Sequence, residues 1–376
     1  MVFRRSLLPA AQETPTYRLE TIPFERVAAE AGLVQGWEML DAAAALPTQT
    51  YAFSAALSGS LLAGSYVEVM LALSAVGIGG LLPLCRDGGY LSRWRLIGAR
   101  EVFEPGDALY ASPDAARALA RSIARQARPL RLDRLPADSL IVPALREAMR
   151  GRGFVLVRPT VSCPKITLDP TWRDPESRFN AGRRSDFRRA ARRASVFGTV
   201  TCEVLAPDLA EFDRLFDEAI GVEVRSWKKG AGSALATDRA KEAFFRRFFR
   251  AACADGTFRI AFLRIDGQAV AMQMAIQRSE RYWLFKIGYD EAYGKCSPGT
   301  LLMLHTLGWA AQRGLKSYEL LGNVERWIAD FWTREQNDCV QLRTYPLNPR
   351  GLLTFLQDSA VWLGSRLWPS RAQSRA

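Results

Sequence analysis

The chain has 376 residues, 48% of them hydrophobic and 10% aromatic, with 51 Lys and Arg against 39 Asp and Glu. That length carries two domains of ordinary size, and that apolar content excludes a disordered polymer. The formal net charge of +12 favours an anionic partner (nucleic acid, a phosphorylated cofactor or acidic lipid) without choosing among them, and fits equally well a general habit of writing Arg for Lys.

The single histidine, His305, excludes a His-rich metal site, and no metal is expected. Six cysteines (Cys85, Cys163, Cys202, Cys253, Cys296 and Cys339) are scattered without paired spacing. That argues against a disulfide framework and suits a reducing cytoplasm. At the N-terminus, MVFRRSLLPAAQETP has an apolar run too short for a signal peptide.

Residues 61–85 are long enough to raise the question of a membrane span. Glu68 lies inside them, however, and Gly77, Gly79, Gly80 and Pro83 break the second half as a helix. Two strands at 67–73 and 78–84 explain the stretch better. A third strand is expected at RWRLIGA, then a helix over 113–128 with Ala116, Leu119, Ala120 and Ile123 at helical spacing. The strand PLRLDRL and a second helix over 142–150 follow.

Between the halves, RFNAGRRSDFRRAARRASVFG predicts a helix that packs through Phe179, Phe187, Ala190, Ala191 and Ala194. Arg184, Arg188 and Arg192 recur every fourth residue as one basic ridge, which is either a solvated face or an attractor of phosphates and acidic lipid. Further on, FRIAFLRIDGQAVAMQMAI reads as strand, Asp266-Gly267 turn, strand. RYWLFKIGYD makes the third strand, a helix over 298–313 runs to Gly314 at its C-cap, and KSYELLG is a strand. The second half thus repeats the plan of the first: RWRLIG then Pro-Gly, YWLFKIG then Pro-Gly. Two copies of one mixed α/β unit are the simplest account.

The basic helix, Glu223 with Val-Arg-Ser before Trp227-Lys228, GSAL at 232–235, the AFFRRFF helix, the DGQAVA hairpin, FKIGYDEAYGKCSPG and LLGNVERW occur in that order. In this the chain resembles GNAT-superfamily acyltransferases of the BioF2-like or CelD-like group, related to the FemABX peptidyltransferases. The likeness is close over 178–335, and the first half resembles the degenerate copy that such proteins carry. It implies two tandem GNAT-like domains, each a twisted mixed sheet flanked by helices: 1–170, then 171–345, with a C-terminal amphipathic tail at 346–376.

The resemblance also implies acyl transfer from a thioester, acyl-CoA or acyl carrier protein, to an amine, with no permanently bound cofactor. The pyrophosphate of such a donor meets backbone amides at a helix N-terminus, where unpaired N–H groups and the dipole's positive end coincide. Here that loop is Gly294, Lys295, Cys296, Ser297, Gly299 and Thr300. Its glycines permit close approach, Ser297 is placed to cap, Pro298 fits the first helical position and Lys295 adds charge. The loop departs from the usual Gln/Arg-x-x-Gly-x-Gly/Ala pattern, which leaves the donor open among CoA, carrier protein and aminoacyl-tRNA.

The chemistry requires a base for the amine, polarisation of the carbonyl and a proton for the departing sulfur. Glu223, Asp290 and His305 are candidate bases. Lys286 and Lys228 are candidates for polarising the oxyanion or holding an acidic group. Tyr293 stands where GNAT enzymes place a tyrosine that protonates the thiolate. Trp227 is a pocket wall or packing anchor, and Asn323 a substrate contact or the shaper of a bulge. Each has a structural alternative: Asp290 as a turn cap, His305 as a half-buried residue, Glu223 paired with Arg225 or Lys228. Cys296 has no histidine or acid beside it in sequence, which disfavours a covalent acyl-enzyme.

The tail GLLTFLQDSAVWLGSRLWPSR sets Leu352, Leu356, Val361, Leu363 and Leu367 with Phe355, Trp362 and Trp368 in a broad apolar stripe flanked by Arg350, Arg366 and Arg371. It reads as a helix docked on the body or as one lying on an acidic membrane. The expected location is cytoplasmic, peripheral on the inner membrane in the second case. An envelope sugar, a sphingoid lipid and a small amine are the acceptors the family admits. Nucleic acid is not the expected partner; aminoacyl-tRNA-dependent transfer and a non-catalytic scaffold are the alternative functions.

Overall fold

The computed structural model describes residues 16–86, 88–226 and 235–367. The first half runs β1 (Arg18–Pro23), α1 (Phe24–Ala29), α2 (Ala31–Leu40), α3 (Tyr51–Ser58), β2 (Tyr66–Ser74), β3 (Gly77–Arg86), β4 (Trp94–Leu96), β5 (Leu109–Tyr110), α4 (Pro113–Gln126), β6 (Leu130–Pro136), α5 (Ile141–Ala148) and β7 (Gly153–Pro159). The second runs β8 (Cys163–Thr167), α6 (Ala181–Ser195), β9 (Val200–Leu205), α7 (Leu209–Val224), α8 (Arg239–Ala254), β10 (Phe258–Ile265), β11 (Gln268–Arg278), β12 (Arg281–Tyr289), α9 (Pro298–Gln312), β13 (Ser317–Glu319), α10 (Arg326–Phe331), β14 (Gln336–Asn337), β15 (Cys339–Pro346) and α11 (Pro349–Leu367).

Residues 61–85 supply β2 and β3, an antiparallel pair with Glu68 opposite Leu84, and no helix among the described residues is long and apolar enough to cross a membrane. The β10–β11 turn shows why Asp266-Gly267 was a sound signal. Both residues have positive φ (47° and 82°), the hand a two-residue hairpin requires. Asp266 also takes the Thr199 amide at 2.7 Å, tying the turn to the neighbouring strand β9. Ser112 caps α4 by accepting from the Ala115 amide, with Pro113 as first helical residue. The helix of the first half thus starts at Ser-Pro, not at the earlier Pro105-Gly106, because β5 intervenes.

Two mixed sheets form. The first has the order β1-β2-β3-β4-β6-β15-β7, the second β14-β8-β13-β12-β11-β10-β9, with β4–β6 and β12–β13 the parallel pairs. The repeat read from sequence is visible here: β1, β2, β3, β4 and β6 correspond in order to β9, β10, β11, β12 and β13. Each sheet is then completed across the halves. β8, which precedes the boundary expected at 170/171, lies beside β13, and β15 returns from the second half to fill the place between β6 and β7. The boundaries expected at 170/171 and 345/346 therefore do not coincide with the sheets.

The halves share one core. The phenylalanine-rich α8 buries Phe244, Phe245, Phe248 and Phe249, and Phe53 of α3 meets Phe244 and Phe248 edge-on at 5.4 and 5.3 Å. Apolar area removed from water at this seam fixes the halves as one packed unit.

Candidate active site

In the second sheet β12 and β13 pair at only three positions, Arg281–Ser317, Tyr282–Tyr318 and Trp283–Glu319. β12 then continues to Tyr289, whereas β13 ends and the chain turns away through Leu321 and Gly322, both at positive φ. Beyond Trp283, β13 therefore no longer accompanies β12, and the two strands part. Just there the register with β11 slips: Met274 opposes Lys286 and Ala275 opposes Leu284, so Phe285 is the extra residue of a bulge. Bulges re-aim side chains and interrupt ladder bonds next to sites.

Lys286, released by this bulge, turns toward the first half. Its ammonium lies 4.2 Å from the centre of the Phe245 ring and within electrostatic reach of Glu104. Glu104 was not singled out from the sequence. It is buried, its Oε2 has no hydrogen-bond partner among the described residues, and burial pushes its carboxyl up to about 8, with Arg134, Lys286 and the Gly322 amide opposing. Arg134 is 2% exposed and donates to the Gly322 carbonyl at 2.6 Å and to Cys163 Sγ at 2.7 Å, linking both halves just past the end of β13. Nothing local marks Glu104 or Arg134 in the sequence, since their partners lie far along the chain.

Glu223 is buried in the last turn of α7 and accepts the Leu235 amide at 2.9 Å. A Cβ on Gly288 would sit 3.5 Å from the Glu223 Cα, so Glu223 lies under β12 two residues beyond Lys286. Arg225 pairs with Asp290, not with Glu223: its Nε donates to Asp290 Oδ2 at 2.6 Å. Asp290 also accepts the Ala292 amide and so caps the 3-10 turn Glu291–Cys296. Tyr293 sits in that turn with its ring 5.3 Å from Phe197.

Gly294, Lys295 and Ser297 are exposed, and Gly299 and Thr300 half-buried. Ser297 does not cap α9. It stands in the left-handed region at φ 47° with no side-chain bond to the helix, and its carbonyl instead accepts the Thr300 amide. Pro298 is the first helical residue as expected; having no N–H, it leaves Gly299 as the first amide of that end. Neither Gly294 nor Gly299 has positive φ, and a Cβ on either would meet only the Tyr289 ring, at 3.9 and 3.5 Å. The fold alone does not demand glycine at either place.

The basic helix α6 runs beside this loop. Arg193 donates to the Lys295 carbonyl, while Arg184, Arg188 and Arg192 remain exposed. Phe187, Ala190 and Ala194 are its buried side; Ala191, expected to pack, faces solvent.

His305 is elsewhere. On the far side of α9 it lines a cleft of about 340 Å³ with Arg173, Glu176 and Cys202, and burial lowers its pKa, so the imidazole is neutral at pH 7. Asn323 is exposed in the loop after β13 and shapes no bulge in the ladder. Cys296 is fully buried, with its thiol pushed up by desolvation, so it is a packing residue and not a nucleophile. Trp227, Lys228 and most of GSAL lie outside the described residues. No group of three or more metal-ligating side chains occurs among the described residues.

Residues 181–327 match the family model described as an acetyltransferase (GNAT) domain. Three solved structures share the fold over nearly the whole chain. The C-terminal DUF2156 domain of a protein described as a lysylphosphatidylglycerol synthetase from Agrobacterium fabrum superposes with a TM-score of 0.53 at 12% identity, covering 87% of this chain and 95% of that one. FemX gives 0.52 at 11%, covering 84% and 96%. A conserved protein of unknown function from Bacteroides thetaiotaomicron gives 0.51 at 10%, covering 83% and 97%. No curated protein sequence matches. Over residues 181–327 the second half is thus similar to the GNAT acetyltransferase domain family. The chain's fold is shared with FemX over most of both chains.

Proposed function

We propose that the second half catalyses N-acyl transfer from a thioester, acyl-CoA or acyl carrier protein, to an amine. The observation that carries this reading is the solvent-facing N-terminus of α9. It stands at the end of β12, where β12 has parted from β13, and Arg193 of α6 lies beside it. Phosphates of the donor would meet the Gly299 amide, Lys295 and the Arg193 guanidinium group of α6. The absence of side chains at Gly294 and Gly299 keeps that approach low.

The acyl arm would then run along β12 beyond its parting from β13. The amine nitrogen attacks the thioester carbonyl carbon, the C–S bond breaks, the amine loses one proton and the sulfur gains one. Lys286 stabilises negative charge on the carbonyl oxygen. Glu223 and Glu104 are the acids near it, Glu104 as a neutral group able to give a proton and Glu223 as the acceptor. Tyr293 is the proton source for the thiolate. Asp290, held by Arg225, positions the donor loop and is not the base. His305 has no part in this arrangement. The acceptors consistent with the family are an envelope sugar, a sphingoid lipid or a small amine.

Thiol release is measured with a panel of acyl-CoA esters and amines. Silence at every chain length from a folded protein, together with no rise in melting temperature on adding CoA esters, would sink the proposal and leave a non-catalytic scaffold. The exposed α6 ridge and the FemX fold favour aminoacyl-tRNA as the second donor to try. Binding that collapses steeply as salt rises would mark that donor.

A further inference from the structure

The exposed large apolar side chains of the described residues are concentrated at one place. Leu347, Leu352, Leu353, Leu356, Val361 and Leu363 all lie on or beside α11, and Phe154 of β7 meets Phe355 of that helix with ring centres 6.4 Å apart. α11 docks by its other side. Gly351 and Thr354 are buried, and Asp358 receives Arg93 at 2.8 Å, Arg343 at 2.9 Å and the Tyr345 hydroxyl at 2.7 Å. Leu352, Leu356 and Leu363 recur at helical spacing on the outward side, and Leu356 and Val361 are 61% and 68% exposed. A face this apolar on a helix this long is unusual for a surface that meets only water.

Its rim is basic. From Cys339 to Leu367 the only acid is Asp358, and two arginines neutralise it. Arg350 lies over the exposed Tyr90 ring at 5.0 Å and Arg158 over Trp362 at 5.7 Å. Arg128 stands within electrostatic reach of Arg350 and Arg86, with Glu68 the acid near it, and Arg86 and Arg128 both lie close to the Trp94 ring centre, at 5.6 and 5.8 Å. Aliphatic side chains outward, amphipathic aromatics at the margin and an excess of guanidinium groups around them match one environment: the headgroup boundary of an anionic bilayer. A protein partner of the same apolar character would not call for that ring of cations.

We infer that the outward face of α11, with Phe154, Arg158 and Arg350, docks on an anionic phospholipid surface, the helix lying in the plane of the interface. This goes beyond the transferase reading and stands whether or not the donor site is active.

Flotation of the full chain with vesicles of phosphatidylglycerol and phosphatidylcholine, against phosphatidylcholine alone, tests it. The expected result is partition onto the anionic vesicles only, weakening as salt rises. The pair Leu356→Asp and Leu363→Asp reduces it about tenfold or more. Both positions are exposed, so the melting temperature of the variant should equal that of the parent, and that measurement removes misfolding as an explanation. Substituting Arg158 and Arg350 by Gln weakens partition without touching the apolar face. Three results overturn the inference: no partition of the folded parent onto either vesicle, equal partition onto both, or a parent dimer that the Leu356→Asp, Leu363→Asp pair converts to monomer, which would make the face a contact between copies. Partition that appears only after residues 1–15 are removed would assign the face to that segment instead, and also overturns it.

Discussion

Arg225 and Asp290 join the end of α7 to the turn that leads into α9 through one short bond, Nε to Oδ2 at 2.6 Å, while Asp290 Oδ1 holds the Ala292 amide at 3.0 Å. A carboxylate with both oxygens engaged in this way shapes the turn. Asp290→Ala is expected to lose about 1 kcal/mol through the missing cap, with little added by the ion pair because Arg225 is part-exposed. In the proposed reaction the variant raises KM for the thioester more than it lowers kcat, and its pH profile keeps the parent's shape. A lost basic limb in that profile would restore Asp290 as the base.

Lys286 tests the chemistry itself. Lys286→Met keeps a side chain of similar length over the Phe245 ring and removes the charge. Turnover should fall by about a hundredfold, the scale of losing one group that stabilises an oxyanion, with the melting temperature little changed. Steady-state kinetics with a responsive acyl-CoA would decide; an unaltered kcat puts Lys286 outside the reaction.

Glu104 makes stability depend on pH in a defined direction. Its folded carboxyl titrates at about 8 instead of the ordinary 4.5, so folding favours the protonated form. The associated stability is complete below pH 4.5 and is lost as pH rises through about 8. Glu104→Gln, neutral throughout, should flatten this part of the decline. Urea unfolding of both proteins across that window measures it, and parallel curves would show that Glu104 is ionised in the folded chain.

The seam between halves carries its own expectation. Phe53→Ala empties a fully enclosed site against Phe244 and Phe248 and should cost about 3–5 kcal/mol. Because the core is continuous and each sheet borrows a strand, calorimetry should give one cooperative transition that moves as a whole. A separate early transition for one half would contradict the shared core.

Cys296 is predicted to be silent toward thiol reagents in the native protein and to label only after unfolding, since it is buried with a raised thiol. Mass spectrometry of alkylated native protein checks this, and Cys296→Ala should retain the parent's activity.

The periodicities alone located the hairpin β2–β3, the Asp266-Gly267 turn, α4, α6, α9 with Pro298 at its first position, and the repetition of one α/β plan. All of these depend on contacts within about twenty residues, where side-chain period and turn chemistry act directly. The turn that leads into α9 was legible for the same reason, though not the left-handed Ser297 that keeps its hydroxyl from capping. What tertiary structure decided was the exchange of β8 and β15 between sheets, the parting of β12 from β13, and the meeting of Glu104, Arg134, Gly322 and Lys286. Backbone pairing between strands far apart in sequence carries no local signature, because any strand of suitable pattern can fill a sheet position. Likewise a glutamate reads as solvent-facing until distant segments close over it and desolvation changes its charge.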